Sequence, residues 1–296
     1  MDFRQLQYML MVAEEKSFSK AAQKLYIAQP SLSQFIQKLE KQLGVELFDR
    51  TNNPITLTYA GELYIETAKK ILDLKDQLHQ QMEDIANLTK GCLKIGVAPF
   101  RSTYVIPKIL PLFHERFPGI EVILYEGTST ELVDFGLKGT TDISLMMMPI
   151  PEDLFSYVTI AKEEILLALP ANHPLSKTNV NKIKLADLKE EPFILLKQNQ
   201  KLHQIAIELC RQAGFKPKVI LESENIETAH ALVTAGMGIS FIPDTLPLSS
   251  TFSKQPKYFS IEDFPTTREM VVAYRKGRYL SRAASEFINV MKEVLG

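Results

Sequence analysis

The sequence predicts an α/β protein with an all-α amino-terminal part, one long linking helix and a two-lobed remainder. Two short helical stretches joined by a tight turn lie within residues 17–57. Residues 59–89 contain no proline and a single glycine, Gly61, close to their start. After residue 90, compact apolar strands alternate with helical stretches, which is typical of parallel β–α–β units. We therefore predict three segments, at residues 1–58, 59–89 and 90–296.

The composition is that of a soluble globular protein, with 45% hydrophobic and 23% charged residues among 296. The formal net charge is −1, so the chain as a whole has no electrostatic attraction to nucleic acid. Within residues 1–58, seven Lys or Arg stand against six Asp or Glu. DNA binding would therefore have to use a local patch of cations. The residues available for it are Lys20, Lys24, Lys38, Lys41 and Arg50.

The amino terminus and the cysteines predict a cytoplasmic protein without a membrane partner. MDFRQLQYMLMVAEEKSF lacks the basic start, apolar core and cleavage site of a signal peptide. No apolar run reaches the length that spans a bilayer. The two cysteines, Cys92 and Cys210, are far apart, and unpaired thiols suit a reducing compartment. We interpret both as small core residues, with a redox-sensing pair as the less favoured alternative.

The first two helices are predicted from caps and periodicity within SFSKAAQKLYIAQPSLSQFIQKLEKQLG. The first has a candidate N-cap at Ser19, and the small side chains Ala21 and Ala22 would let a second helix cross closely. The second begins around Gln29-Pro30, where proline is favoured, and stops at Gly44. Apolar residues recur at helical spacing along one face of it. They are Leu32, Phe35, Ile36, Leu39 and Leu43.

The opposite face of the second helix carries the groups that major-groove reading requires. Glutamine offers a donor and an acceptor that match adenine, serine bonds base edges or phosphate, and lysine neutralises phosphate. An ordinary solvated helix is the alternative. The turn Asn52-Asn53-Pro54 between two short β-prone pieces predicts a hairpin whose Arg50 meets phosphate or the minor groove. The candidate DNA-binding residues are Gln29, Pro30, Ser31, Ser33, Gln34, Gln37, Lys38 and Arg50.

Residues 59–89 predict a helix that pairs with a second copy of the chain. A helix this polar does not bury enough apolar surface to stay ordered alone, and its apolar residues alternate at 3 and 4 positions, as in a coiled coil. Pairing would set two groove helices ~34 Å apart on a pseudo-palindromic duplex site. The seam comprises Tyr64, Thr67, Ile71, Leu74, Leu78, Gln81, Ile85 and Leu88.

The remainder reads as strands and helices in two lobes, with lobe one at about 91–161 and 268–296 and lobe two at about 162–267. Lobe one begins with the strand CLKIGVA, the helix STYVIPKILPLFHERF, the strand IEVILYEG, a helix at 129–138 and the strand DISLMMM. ILLALP opens lobe two after EDLFSYVTIAKEE, followed by FILLK, a helix near 202–213, KVILE, IETAHALVTAG and GISFIP. EMVVAYRK and SRAASEFINVMKEVL return to lobe one, so the chain crosses twice.

The sequence motifs of the amino-terminal part and of the two-lobed remainder resemble those of LysR-type transcriptional regulators. SFSKAAQKLYIAQPSLSQFIQKLEKQLGVELFDR resembles their winged helix-turn-helix without a gap, and IGVAPF, IPKILPLFHERFPGIEV, LCRQAGF and LVTAGMGISFIP stand where that family has them. The resemblance implies a periplasmic-binding-protein-like effector domain, a homotetramer built from two dimers, and RNA polymerase as a candidate partner. Gln34 and Phe35 depart from the residues common in the family, so the base contacts cannot be copied from relatives.

A ligand of such a fold would bind between the lobes, at the carboxyl ends of strands and the starts of helices. Arg101 would supply a fixed positive charge, and we expect a small organic anion such as a carboxylate as the effector. Phe100 replaces a small hydroxyl residue common in relatives, which suggests a more apolar mouth. A surface arginine paired with a neighbouring Glu is the alternative for Arg101. The candidate effector-binding residues are Phe100, Arg101, Ser102, Thr103, Thr128, Ser129, Met147, Gln198, Asn199 and Gln200.

The sequence contains no pattern that indicates catalysis, a cofactor or a metal. The five histidines have no ligand spacing, Met146–148 alternate faces of a strand, and Gly236-Met237-Gly238 follows a helix rather than a strand. We therefore predict a DNA-binding regulator, activator or repressor, that responds to a small-molecule effector and is not an enzyme. The rivals are an enzyme or a two-lobed ligand-binding protein whose amino-terminal helices serve assembly only.

Overall fold

The computed structural model describes residues 2–52, 54–85, 91–247 and 255–296. The chain divides into two compact units, Met1–Ala86 and Asn87–Gly296. The elements of the first unit are α1 (Phe3–Glu15), α2 (Phe18–Lys24), α3 (Gln29–Leu43), β1 (Phe48–Asp49), β2 (Thr56–Leu57) and α4 (Tyr59–Ile85).

Caps define where the first three helices begin and end. α1 begins with a capping box in which Asp2 and Gln5 bond each other's backbone. α2 is capped by Ser17, whose hydroxyl accepts from Lys20 N, so the predicted cap at Ser19 is wrong. The reason is that Phe18 is buried and already lies in the helix. α3 ends at Gly44 with φ 73°, as predicted.

The core of the first unit forms where α1, α2 and α3 meet. Ala21 and Ala22 are fully buried, which allows the close helix crossing that their small side chains predict. Leu43, predicted to be buried, is 47% exposed because Glu40 takes the last inward position of α3 and the helix ends beyond it. The buried residues are Met9, Val12, Phe18, Ala21, Ala22, Leu32, Ile36, Leu39, Leu47, Phe48 and Ile65.

The hairpin after α3 is a short wing. β1 and β2 pair antiparallel, with Phe48 opposite Leu57 and Asp49 opposite Thr56. The Asp49 carboxylate accepts from Thr51 N at 2.9 Å and from Asn52 Nδ2 at 2.9 Å. These bonds hold the turn. The Thr51 hydroxyl also donates to the Asp49 carboxylate, and this bond, together with that from Thr51 N, lowers the pKa of Asp49. Asn53, which belongs to the predicted turn, lies outside the described residues.

The apolar residues of α4 fall into two groups, one that is at least partly buried within the first unit and one that is exposed to solvent. Ile65 and Ala68 are buried, and Tyr64, assigned to the seam by periodicity, packs partly against the core of its own unit. Leu74 and Leu78 are 63% and 58% exposed. Residues 86–89 of the predicted helix, including Leu88, lie outside the described residues. Among the described residues, no helix combines the length and apolar character that crossing a bilayer requires.

Besides two short 3-10 helices at Pro174–Lys177 and Leu185–Leu188, the second unit contains ten strands and six α-helices among its described residues. In chain order they are β3 (Gly91–Val97), α5 (Pro99–Tyr104), α6 (Ile106–Arg116), β4 (Ile120–Glu126), α7 (Ser129–Leu137), β5 (Ile143–Met147), β6 (Phe155–Leu169), β7 (Lys182–Ile183), β8 (Pro192–Leu196), α8 (Lys201–Gln212), β9 (Lys218–Ser223), α9 (Ile226–Thr234), β10 (Ser240–Pro243), β11 (Lys257–Ile261), β12 (Thr267–Arg275) and α10 (Arg282–Leu295).

Two lobes share one long strand. In the first lobe β3 pairs parallel with β4 and β5, and β12 runs antiparallel between β5 and β6. β6 pairs with β12 up to Glu164, and from Ile165 onward with β10 and β11 of the second lobe. The first crossing is therefore a continuous strand, where the sequence predicted that ILLALP begins a new one. The apolar residues along β6 face a core in each lobe.

Other boundaries also differ from the prediction. The helix predicted over STYVIPKILPLFHERF begins earlier, at Pro99, and is broken at Val105 into α5 and α6. Pro107 in the first turn of α6 explains the break, because proline has no N–H to continue the preceding helix. The strands β7 and β11 were not predicted. β7 has two residues and β11 no strict alternation of apolar and polar residues.

Candidate functional site

The polar face of α3 is open to solvent. Gln29, Pro30, Ser31, Gln34, Gln37 and Lys38 are exposed, and Ser33 is half-buried. Within the described parts of the chain, no hydrogen bond or ion pair engages these side chains. Their donors and acceptors are therefore available to a ligand, as base reading requires. Phe35 is half-buried and packs edge-to-face on Tyr8 at 5.1 Å between ring centroids, which assigns it to the helix packing.

Arg50 is held by Glu40, a residue that the sequence analysis did not select. Its Nη2 donates to Glu40 Oε2 at 2.6 Å, and its guanidinium lies 5.3 Å from the Phe18 ring centre. Glu40 Oε1 also accepts from Leu47 N at 2.9 Å and Phe48 N at 3.2 Å. Arg50 thus joins the wing to α3. One feature of the sequence could have indicated that Glu40 is buried: it follows Ile36 by four residues and so lies on the buried face of α3.

The cationic patch of the first unit is smaller than the sequence suggested. Lys24 Nζ lies 2.5 Å from Glu15 Oε1, and the hydrogen bond to Glu15 raises the pKa of Lys24. Arg50 is paired with Glu40. Of the five candidate cations, Lys20, Lys38 and Lys41 remain without an ion pair in the described structure.

A cleft of about 680 Å³ lies between the two lobes of the second unit. Seven of the predicted effector-binding residues line it: Phe100, Arg101, Thr128, Ser129, Met147, Asn199 and Gln200. Ser102, Thr103 and Gln198 do not. Ser102 and Thr103 follow on the helix α5, where the Thr103 hydroxyl donates to Pro99 O at 3.2 Å, and Gln198 is an exposed turn residue. The wall includes further charged residues that the sequence analysis missed, Glu131, Lys201, Glu224, Glu227 and Arg268.

A carboxylate from the first turn of α7 binds at the start of that helix. The Glu131 carboxylate accepts from Thr128 N and from the Thr128 hydroxyl, both at 2.8 Å, in a capping box. The backbone hydrogen bond from Thr128 lowers the pKa of Glu131. The positive end of the α7 dipole is thus partly compensated by a carboxylate of its own first turn. The negative charge of that carboxylate disfavours a second anion beside it.

Two arginines of the cleft wall lie at the crossing between the lobes. Arg101 Nη2 donates to both oxygens of Glu163, at 3.1 and 2.9 Å, and Arg268 Nη2 and Nε donate to Glu163 Oε1 at 2.5 and 2.9 Å. Arg101 is 7% and Glu163 2% exposed. Arg101 is therefore neither a free cation nor a surface one. Its partner lies 62 positions away and was not predicted.

Burial dominates the electrostatics of this cluster. Desolvation lowers the pKa of Arg101, against the attraction of Glu163. Asp244, at the end of β10, accepts from Glu164 N at 3.0 Å, and desolvation raises its pKa. Glu163 stands on β6 and Arg268 opposite it on β12, so the cluster spans both crossings. Two guanidiniums thus share one fully buried carboxylate.

The second lobe contributes charges of both signs to the cleft. Lys197 Nζ lies 2.6 Å from Glu224 Oε1, and Gln200 Nε2 donates to Glu224 O at 2.6 Å. Lys201 and Glu227 line the cleft without an ion pair to any residue that the structure describes. The cleft can therefore bind polar groups of either sign, with its strongest positive charge at the arginine pair.

In the part of the chain that the structure describes, metal-ligand clusters are not evident, and only one of the two predicted core cysteines lies in a core. No group of three or more His, Cys, Asp or Glu there is arranged to hold a metal ion. Cys92, on β3, is half-buried, which corrects its assignment as a core residue. Cys210 is fully buried in the core of the second lobe, and burial raises the pKa of its thiol to about 12. Such a thiol stays protonated and behaves as a core side chain.

Comparison with known proteins matches both units. Residues 3–62 match the family described as bacterial regulatory helix-turn-helix protein, lysR family, and residues 86–296 match LysR substrate binding domain. The uncharacterized HTH-type transcriptional regulator YcgK of Bacillus subtilis (strain 168) is 33% identical over 313 residues, covering 100% of this chain and 95% of YcgK. AlsR, an HTH-type transcriptional regulator of the same organism, is 32% identical, covering 94% and 92%. Full-length CbnR crystallised with its target DNA is similar at a TM-score of 0.71 and 26% identity, covering 99% and 100%.

Proposed function

Because the chain belongs to the LysR family of bacterial DNA-binding transcriptional regulators, we propose that α3 reads its operator and that the cleft of the second unit binds a small organic anion. The proposal divides the chain into a winged helix-turn-helix at 1–58, a linker and dimerisation helix at 59–89 and an effector-binding domain at 90–296. The proposal rests on one observation: the chain combines a solvent-exposed polar face on α3 with a cleft in the second unit that is lined by two arginines.

On the DNA, the exposed face of α3 enters the major groove. Gln34 and Gln37 lie three residues apart on that face and bond base edges, while Ser31 and Ser33 bond bases or phosphate. Lys38 neutralises phosphate, and Gln29 and Pro30 set the entry of the helix. Arg50 has a second role that the sequence did not predict. Its bond to Glu40 makes it the residue that positions the wing, with its outer edge left for the phosphate backbone.

In the cleft, the anion binds at Arg268 and Arg101. Glu163 carries one negative charge for two guanidiniums. The second nearby carboxyl, Asp244, attracts Arg101, but desolvation raises its pKa and so disfavours its charged form. A buried charge that is not fully compensated is costly. A carboxylate from the effector supplies a second negative group, and a planar carboxylate matches the guanidinium fork. Ser129, Asn199 and Gln200 line the same cleft and offer neutral hydrogen-bonding groups for the rest of the ligand.

The position of the arginine cluster suggests how the ligand acts. Glu163 and Arg268 face each other on the two strands that cross between the lobes. A ligand carboxylate that competes with Glu163 for Arg268 would change the balance of charges at this crossing. A ligand shifts a conformational equilibrium only by its differential affinity for the two states. The proposed effector therefore favours one arrangement of the lobes and alters DNA binding through it.

The protein acts as an oligomer in this proposal. Leu74 and Leu78 stand exposed four residues apart on α4, as expected of a seam that a second copy covers. Two such dimers form the tetramer, and each dimer sets its two α3 helices ~34 Å apart on a pseudo-palindromic operator. The relatives compared are named as transcriptional regulators, which supports regulation rather than catalysis.

The DNA half of the proposal is tested with the full-length protein and a labelled duplex taken from upstream of its own gene. We expect specific binding that weakens steeply with salt, and a loss of about 1–3 kcal/mol for Gln34→Ala on that duplex but not on random DNA. Lys189→Ala, an exposed lysine of the second unit, is the matched control. Equal affinity for operator and random DNA at every salt concentration would contradict the proposal.

The effector half is tested by a screen of small carboxylates for a rise in the thermal unfolding midpoint of the full-length protein. A ligand that binds only the folded state stabilises it by about 2.7 kcal/mol at a hundredfold excess over Kd. We expect carboxylates to act and their uncharged amides not to act. An uncharged compound that stabilises wild type and Arg268→Gln equally would contradict the anion assignment.

A further inference from the structure

Tyr26 occupies an unusual position in the turn between α2 and α3. Its φ is 54° and its side chain is 96% exposed. Tyr26 N donates to Gln23 O at 3.2 Å and Ile27 N donates to Ala22 O at 3.0 Å. These two bonds form a Schellman motif, whose left-handed residue is usually glycine because a Cβ crowds the next carbonyl. A tyrosine here is less suited to the backbone than glycine would be.

The fold makes no use of the Tyr26 ring. In the described structure its hydroxyl has no hydrogen-bond partner and its ring touches no other aromatic ring. The apolar contact expected of the motif comes from the following residue, Ile27, which is half-buried against the core of the first unit. Glycine would therefore serve the turn better, and the reason for tyrosine has to lie outside the chain.

The turn lies where a bound duplex would pass. Tyr26 precedes the start of α3 by three residues, and Gln29, Pro30 and Ser31 of its first turn are exposed. In helix-turn-helix proteins the amino-terminal residues of the second helix contact base edges, and the elements before it contact the backbone. A tyrosine hydroxyl donates well to a phosphate oxygen.

The charge balance gives such a neutral contact more weight. Lys24 and Arg50 are paired with Glu15 and Glu40, which leaves few free cations for phosphate. Neutral donors must then supply more of the affinity. We propose that Tyr26 clamps the sugar-phosphate backbone at the edge of the major groove, through its hydroxyl on a phosphate and its ring on the adjacent sugar. This rests on the proposed entry of α3 into the groove.

The test compares Tyr26→Phe and Tyr26→Gly in the full-length protein, by anisotropy of the operator duplex across a salt series. Tyr26→Phe weakens binding about threefold and Tyr26→Gly about tenfold, the range of the net contribution of one typical hydrogen bond. Both lose affinity equally on operator and mutated operator. The slope of affinity against salt stays that of wild type, because no counterion is released by a neutral side chain.

Two variants serve as controls. Lys38→Gln reduces the salt slope by about one unit, which separates a lost charge from a lost neutral contact. Lys16, at the end of α1, has φ 49°, and Lys16→Gly reports how far relief of a left-handed residue raises the thermal midpoint. Tyr26→Gly unfolds at or above the wild-type temperature, as Lys16→Gly does, while it binds DNA less well.

The outcomes are distinguishable. Wild type without specific binding overturns the proposed function and this inference together. Specific wild-type binding with unchanged affinity in Tyr26→Gly overturns the inference alone. A lower unfolding temperature in Tyr26→Gly also overturns it, because the ring would then serve the fold. Unchanged binding in Tyr26→Phe with weak binding in Tyr26→Gly overturns the phosphate hydrogen bond.

Discussion

In each of the two units, one buried glutamate connects groups from different elements. The Glu40 carboxylate accepts hydrogen bonds from two backbone N–H groups and from Arg50, and the Glu163 carboxylate accepts them from two arginines. Each is buried, so each must be fully hydrogen-bonded to be tolerated. Both were missed from the sequence. A glutamate beside other charged residues, as Glu40 is beside Lys41 and Glu163 beside Lys162 and Glu164, is normally assigned to a solvated face. Its partners, 7 to 10 residues away for Glu40, do not follow from periodicity.

We predict that Glu40→Gln destabilises the first unit. The amide retains one acceptor but loses the charge that Arg50 needs, which costs about 1–3 kcal/mol. Denaturant unfolding of the full-length protein, followed by a probe in the first unit, measures this change. Glu46→Gln is the control, since that side chain is exposed and only its backbone carbonyl is used, by Thr58. Equal stability of the two variants would show that Glu40 is replaceable.

His230 predicts a pH dependence of stability in the second unit. It is buried, its Nε2 lies 2.8 Å from the Tyr258 hydroxyl, and burial lowers its pKa from 6.5. The unfolded state then takes up the proton at a higher pH than the folded state. Stability is therefore fully present above about pH 6.5 and falls as the pH drops below it, by up to about 1.4 kcal/mol per pH unit.

Unfolding free energies of wild type and His230→Gln between pH 5 and pH 7.5 test this linkage. The glutamine keeps a hydrogen-bonding group near Tyr258 and removes the titration, so we expect a flatter profile. His114→Gln, at an exposed position of α6, keeps the wild-type slope. If the unfolding free energy of His230→Gln depends on pH as that of wild type does, the group that takes up the proton is not His230.

At the scale of elements, α3 was well predicted from its sequence and β6 was not. Pro30, Gly44 and the spacing of Leu32, Ile36 and Leu39 are local signals, and the structure agrees with them. β6 is one strand of 15 residues. The change of its partners at Glu164 results from pairing with residues about 70 to 120 positions further along the chain, and nothing local indicates it.

The helix α4 carries a prediction about assembly. Replacing Leu74 and Leu78 together by glutamate puts charges into the proposed seam, where an unpaired buried charge is strongly unfavourable. We expect the double variant to sediment as a monomer at concentrations where wild type is larger. Leu154→Glu is the control, because Leu154 is an exposed leucine of the second unit, 40% accessible. An unchanged sedimentation coefficient for the double variant would exclude these residues from the seam.

For the whole molecule, regulation requires that ligand and DNA influence each other's binding. This coupling is reciprocal, so a carboxylate that changes operator affinity by some factor must itself bind DNA-bound protein with an affinity changed by that factor. We predict that Arg268→Gln abolishes the ligand effect on operator affinity and leaves the ligand-free affinity unchanged. Titrations of operator with and without the active carboxylate measure both values.

Lys197→Gln is the control for that experiment. Lys197 pairs with Glu224 beside the cleft but does not line it, so this variant keeps the ligand response. A wild-type response in Arg268→Gln would move the anion site away from the arginine pair, to Lys201 on the opposite lobe. In that case Lys201→Gln would lose the response instead.

The sequence alone determined the alternation of strands and helices, the start and end of α3, the polar face of that helix and the resemblance to LysR-type regulators. These are properties of residues a few positions apart, where hydrogen-bonding geometry and side-chain period act directly. The tertiary structure decided that Arg50 and Arg101 are paired, that Arg268 joins the cleft and that Tyr26 stands alone in solvent. Burial and charge pairing depend on residues brought together from distant positions, and only the packed chain sets which carboxylate meets which guanidinium.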